Sequence, residues 1–181
     1  MVEWPKCASR GPSVRAARDT RGPMLNIAVW NIWGLNKRDH QLAVKDIIVE
    51  FRALHESISI TIVYGATEVP DRRALWGSLE SLTLKCVDTP WLVGGDFNAV
   101  RDVSEVCGTS GDIRLAMEEF NTCIQNAVLL PLLMQGEWYT WHNMSDGPHN
   151  LWKRLDRMLT NDIRQRSKLV SLHVHQTILQ W

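Results

Sequence analysis

Little in this sequence pairs off or runs long. The four cysteines, Cys7, Cys86, Cys107 and Cys123, stand far apart with no CxxC among them. That spacing excludes a zinc ribbon or a disulfide framework and reads as reduced, mostly buried thiols of an intracellular protein, nuclear or cytoplasmic. No apolar run approaches the roughly 18 residues a spanning helix needs, so no membrane association is expected. The N-terminus lacks the basic-then-apolar pattern of a secretory signal. Formal net charge is zero, so no global field draws the chain toward nucleic acid. Internal repeats and low-complexity tracts are absent as well.

What is present suits one globular domain. A length of 181 residues with 45% apolar content supports a single core. Tyrosine and phenylalanine are scarce, at two and three, yet there are nine tryptophans; most should be buried, since large aromatics dominate buried area. Charge is unevenly spread. Residues 1–24 carry five Lys/Arg against two acids and residues 146–170 six against three, leaving nine against fifteen between them. An acidic centre with basic flanks suits a cation-loaded site beside a phosphate-facing surface, and equally an ordinary solvated exterior.

Residues 1–23 hold three prolines, two glycines and four arginines without periodicity, and read as a disordered leader, with a transit peptide the weaker option. The folded domain is expected over 24–181. Leu25–Trp30 fits a strand closed by Asn31 and a Gly34-Leu35-Asn36 turn. From Gln41 to Leu54, Val44, Ile47, Ile48, Phe51 and Leu54 fall on one helical face. Ser57–Tyr64 alternates Ile58, Ile60 and Ile62 with Ser57, Ser59 and Thr61, the pattern of a half-buried strand. Pro70 opens a helix over Asp71–Leu82 with Leu75, Trp76, Leu79 and Leu82 in one stripe. Trp91–Gly95 is a strand, and Ile113, Met117, Phe120, Ile124 and Val128 define a second helix. Further strands fall at Trp138–Trp141, Leu155–Leu159 and Leu169–Val174. Strands alternate with helices but run consecutively near the C-terminus, which argues for mixed sheets covered by helices.

Four strand ends carry polar residues straight after apolar runs: Trp30-Asn31, Val63-Tyr64-Gly65, Gly95-Asp96-Phe97-Asn98 and Arg154-Leu155-Asp156-Arg157. Gathered at one rim, they suit phosphodiester hydrolysis. Asp96 can orient or deprotonate the attacking water. Asn98 and Asn31 can donate amide hydrogens to oxygens that gain negative charge, and Tyr64 a phenolic one. A magnesium ion binds through one or two carboxylates, waters and the phosphate itself. Singly, each residue has a plainer reading: Asp96 as a turn former, Tyr64 as an amphipathic core residue, Asn31 as a turn residue, Asp156 as a surface ion pair. The conjunction carries the argument.

In order, WNIWGLN (30–36), TIVYG (61–65), RRALWGSL (72–79), PWLVGGDFNAV (90–100), EEFNTCI (118–124), GEWYTWHN (136–143) and KRLDRML (153–159) resemble the endonuclease/exonuclease/phosphatase (DNase I-like) superfamily. More narrowly, they look like the endonuclease domain of plant LINE-type non-LTR retrotransposons, over about Met24–Asn161. The resemblance implies a four-layer α/β/β/α sandwich of two mixed sheets and a magnesium-dependent nuclease acting on DNA to prime reverse transcription. A reverse transcriptase region of a parent polyprotein is an implied partner. It places Asn31 by metal and phosphate, Tyr64 on the phosphate, Asp96 on the nucleophilic water, Asn98 on the transition state and Asp156 behind a catalytic histidine. Trp141 and Arg154 join Asn31 and Tyr64 as substrate contacts.

Two departures qualify this. The family's metal-binding glutamate, in an ET motif, has no counterpart; Glu56 is the nearest substitute as metal ligand and Glu50 another, although an internal deletion that leaves both as bystanders fits better. The family's closing Ser-Asp-His is also missing; Ser145-Asp146-Gly147-Pro148-His149 imitates it on the wrong side of RLDR, and His173 and His175 precede its place. The resulting expectation is an incomplete sandwich, lacking an internal strand pair and a C-terminal strand, with impaired catalysis. Its alternatives are a phosphodiesterase using Glu56, a non-catalytic nucleic-acid-binding remnant using Lys153–Lys168, and a chain unable to fold stably.

Overall fold

The computed structural model describes residues 43–51, 56–132, 134–161 and 174–175. The leader, the Leu25–Trp30 strand, Asn31 and most of Leu169–Val174 lie outside these residues.

The main sheet has five strands. In chain order they are β1 (Ala43–Phe51), β2 (Glu56–Tyr64), β3 (Trp91–Asp96), β5 (Leu129–Pro131) and β9 (Asp156–Asn161). Spatially they run β1-β2-β3-β9-β5. Only the β2–β3 pair is parallel, and a parallel step needs a crossover. Helix α1 (Val69–Lys85) supplies it, opening with Pro70 in its first turn, where a missing N–H does no harm. Helix α2 (Arg114–Asn126) lies between β3 and β5 in the chain. A smaller antiparallel sheet joins β4 (Val106–Cys107), β8 (Trp152–Lys153) and β7 (Trp141–His142), and β6 (Met134–Gln135) pairs in parallel with β10 (Val174–His175). The fold is the expected mixture of α and β, sheets covered by helices.

The helix-facing core gathers Val63, Leu75, Leu79, Trp91, Val93, Phe97, Phe120, Ile124 and Leu159. Phe120 is its hub, with its ring centroid 4.9 Å from that of Trp76 and 5.1 Å from that of Phe97. The opposite face of the sheet is covered too, for Ile58, Ile60, Leu92 and Met158 are also buried. This overturns the half-buried reading of β2: Ser59 and Thr61 are buried among the helices. They tolerate it because each is bonded, Thr61 accepting from Trp91 Nε1 at 2.8 Å and Ser59 contacting Cys86 Sγ at 3.5 Å.

Three other expectations need correction. Where a helix was expected over Gln41–Leu54, the described residues Ala43–Phe51 form strand β1, paired antiparallel from Ala43↔Tyr64 to Phe51↔Glu56. Val44, Ile47, Ile48 and Val49 are β-branched and suit a pleated strand, and the open edge of β2 overrides a helical spacing that was also met. Val128 lies past the end of α2, exposed with φ 51°. Cys86 and Cys123 are free and buried, whereas Cys107 is held in a disulfide, so the reading of four thiols fails there.

Candidate active site

The sheet brings three of the chosen residues to one level. Tyr64 on β2 is in register with Asp96 on β3, and Asp96 with Asp156 on β9. Residues directly opposite one another share a face, so the three side chains start from one rim. Two glycines make this approach possible. A Cβ on Gly94 would overlap the Met158 sulfur. Gly95 has φ +139°, and a Cβ there would overlap the Val63 carbonyl, so an L side chain is barred twice.

The Asp-Phe-Asn run then serves both readings, turn and site. Phe97 turns inward and is fully buried, its N–H donating to Leu155 O at 3.0 Å. Asn98 takes φ 47°, a left-handed conformation that Asn tolerates better than most. Its N–H donates to Asp96 Oδ1 at 2.8 Å, its Nδ2 to Gly65 O at 2.7 Å, and Gly65 N–H returns a bond to Asp96 O at 2.6 Å. A Cβ on Gly65 would crowd the Phe97 carbonyl. Strand end β2 and strand end β3 are therefore locked together through Asn98.

A cavity of about 510 Å³ opens over this lock, lined by Tyr64, Asp96, Asn98 and Trp141 among others. Tyr64 is 47% exposed, a phenol open to a ligand, while Asp96 is buried. Two cations also line it: Arg72 from α1, which sequence reasoning passed over, and Lys153 from β8, which it named only as the start of a basic stretch. Arg72 is buried and donates through Nη1 to Ala66 O and Thr67 O at 2.9 and 2.7 Å, which holds the loop after Tyr64. Burial draws its guanidinium below the ordinary value, with Glu119, Glu68 and Asp96 acting the other way. Lys153 lies 5.9 Å from the Trp141 ring centre. Burial, then the charge of Arg72, pushes its ammonium below the usual lysine range. Both residues sit inside quoted motifs, RRALW and KRLDR; a cation one turn into the helix that follows a site strand was the available signal.

Other chosen residues sit elsewhere. Asp156 is at the rim level but does not line the cavity. Thr140 Oγ1 accepts from its backbone N–H at 3.0 Å. Burial raises its carboxyl above the ordinary value, opposed by the Thr140 hydroxyl and the charge of Arg157. Arg154 lies outside the cavity too, its guanidinium 4.2 Å from the Trp138 ring centre. Glu56 stands at the opposite end of the nine-residue β2 from Tyr64, roughly 26 Å away at ~3.3 Å per residue. It cannot share a cation with Asp96, and Glu50, paired with Ser57, is at that same far end. The Ser145–His149 segment joins β7 to β8, its loop pinned by Asn143, which accepts from Ser145 N–H and Leu151 N–H and donates to His149 O. His142 stacks on Trp152 at 4.0 Å and contacts Asn150 at 2.8 Å. Among the described residues no histidine lines the cavity, and no three His, Cys, Asp or Glu side chains gather to hold a metal. No described helix is long and apolar enough to cross a membrane.

Comparison with protein-family models and with characterised proteins finds no match. Among solved structures, the endonuclease domain of TRAS1, a telomere-specific non-LTR retrotransposon, aligns at 17% identity with a TM-score of 0.50, over 71% of this chain and 60% of that one. A beta toxin from Staphylococcus aureus aligns at 18% identity with a TM-score of 0.44, over 65% of this chain and 42% of that one. The likeness to the retrotransposon domain is one of fold alone.

Proposed function

We propose that this chain is a nuclease-type domain that takes a DNA phosphodiester into the cavity over Asp96 and hydrolyses it poorly. One observation carries the reading: Tyr64, Asp96, Asn98 and Trp141 line a single cavity, in a chain whose fold resembles that of a retrotransposon endonuclease domain. In this reading the exposed phenol of Tyr64 donates to a non-bridging oxygen. Asn98 has one amide hydrogen engaged by Gly65 O and offers the other as charge grows on the phosphate. Asp96 aligns the attacking water and accepts its proton.

A magnesium ion keeps most of its waters and takes one or two carboxylates, so Asp96 meets the minimal donor requirement, with Asn31 the expected neighbour. When bound, such an ion supplies charge neutralisation and water activation. The protonation of the leaving oxygen is the weak half of the site. Asp156, which the family resemblance sets behind a histidine, has Thr140 as its hydrogen-bond neighbour instead. Loss of a single positioned acid typically lowers rates by about 10²–10⁴-fold.

Two assays test this. Fluorescence anisotropy with a short duplex should show binding that weakens with salt. Nicking of supercoiled plasmid with magnesium should stay at background. Magnesium-dependent nicking that disappears in Asp96→Ala would reverse the impaired part of the reading, and salt-insensitive or absent duplex binding would sink the DNA part.

A further inference from the structure

Arg72 and Lys153 approach the same cavity from different elements, α1 and β8. Among the described residues neither takes part in an ion pair, the pairs there being Arg73–Glu119, Arg114–Asp112 and Arg157–Glu105. Arg72 is only 4% exposed. Glu119, Glu68 and Asp96 act on its charge through space, but among the described residues none of them forms an ion pair with it, so an anion bonded there directly would be favourable. Its two described hydrogen bonds use Nη1 alone, and an arginine has five donors. The charge of Arg72 lowers the affinity of Lys153 for its proton. Of the carboxylates lining the cavity, Asp112 is already bonded twice to Arg114, at 3.0 and 2.8 Å. Asp96 remains as the other. Two cations therefore face a volume of about 510 Å³ with one lining carboxylate not committed to Arg114, an environment that favours an anion.

We propose that Arg72 and Lys153 form a two-cation seat for one phosphate of a DNA strand, with Arg72 bound through its remaining donors and Lys153 as a point charge opposite. The inference rests on the functional reading above and adds to it the groups that hold the anion. Arginine suits the fixed, forked side of such a seat and lysine the adjustable side. The seat also couples binding to the Tyr64 loop, because the same guanidinium holds Ala66 and Thr67 through their carbonyls.

The test uses the full chain, a fluorescent 12-base-pair duplex and, separately, inorganic phosphate followed by amide chemical shifts. Lys153→Gln should weaken duplex binding by about threefold to tenfold and lower the slope of log affinity against log salt by about one. Arg72→Lys should weaken it further, since the charge stays but the fork is lost. Inorganic phosphate should shift amides of the Gly65–Glu68 loop in the parent and much less in Lys153→Gln. Should Arg72→Lys fail to fold, as judged by thermal melting, Lys153→Gln decides alone. Duplex binding in Lys153→Gln with parental affinity and salt slope overturns the seat while leaving the DNA reading intact. Phosphate shifts in a parent that ignores duplex uphold the seat and remove DNA as its ligand. A parent unmoved by either ligand overturns both.

Discussion

Two walls of the cavity are built in different ways. The inner wall, at the ends of β2 and β3, is held by backbone: two glycines that admit no side chain, a left-handed Asn98, and three hydrogen bonds knitting residues 65, 96 and 98. The outer wall, from α1 and the β7–β8 hairpin, is held by side chains, with Arg72 leaning on two carbonyls and Lys153 near a tryptophan ring. The contrast predicts where mutations register. Changes on the inner wall act on folding first, and changes on the outer wall act on ligand binding.

The largest effect should come from Gly95→Ala. Its φ of +139° and the close Val63 carbonyl allow no Cβ, so the variant should lose its cooperative thermal transition or at least about 3 kcal/mol. A melting curve like the parent's would erase the distinction between the walls. Next is the clamp behind the inner wall. Arg157 and Glu105, both 6% exposed, form a forked pair at 3.0 and 2.9 Å. Arg157 also reaches Ala99 O and Arg154 O. Glu105→Gln leaves that guanidinium without its counter-charge and should cost about 3–5 kcal/mol in urea unfolding.

A finer comparison sets Asn98→Gly against Asn98→Ala. Both lose the bond to Gly65 O, but only alanine resists φ 47°, so alanine should be the less stable by about 1–2 kcal/mol. Equal midpoints would show that the turn is not under backbone constraint. Asp156 gives a pH signature. Its carboxyl is raised above 3.8 by burial, so the folded state holds the proton more tightly than the unfolded one. Its stabilisation is therefore full below pH 3.8 and lost as pH climbs through the raised value. Asp156→Asn should flatten that decline in urea midpoints taken across the acid range. Lys153→Gln should matter least to folding, within about 0.5 kcal/mol as for most partly exposed positions, and its effect should appear in duplex binding instead.

The inner wall was legible in sequence because strand ends leave linear traces. An apolar run broken by Gly-Gly-Asp-Phe-Asn announces a strand, a close approach and a turn in consecutive letters. Register then carried Tyr64 and Asp156 to Asp96 without any special signal. The outer wall left no such trace. Nothing local says that Arg72 folds back over its own loop, since that depends on how α1 lies across the sheet. The β1 segment was misread because Val44, Ile47, Ile48 and Phe51 satisfy a helical spacing while their β-branched neighbours suit a strand; the partner β2 resolved it. Glu56 looked close to the site by residue count and proved distant because an extended strand separates its ends by the full length of the chain between them.

Asn98 bears on what a surviving motif can testify. Its left-handed backbone and its bond across to the neighbouring strand end give the fold its own reason to keep asparagine there, whatever becomes of turnover. The glycines before it are retained on the same grounds. A chain without any catalytic role would still need these residues to fold this turn, so the intact signature speaks for the architecture and is silent on an activity.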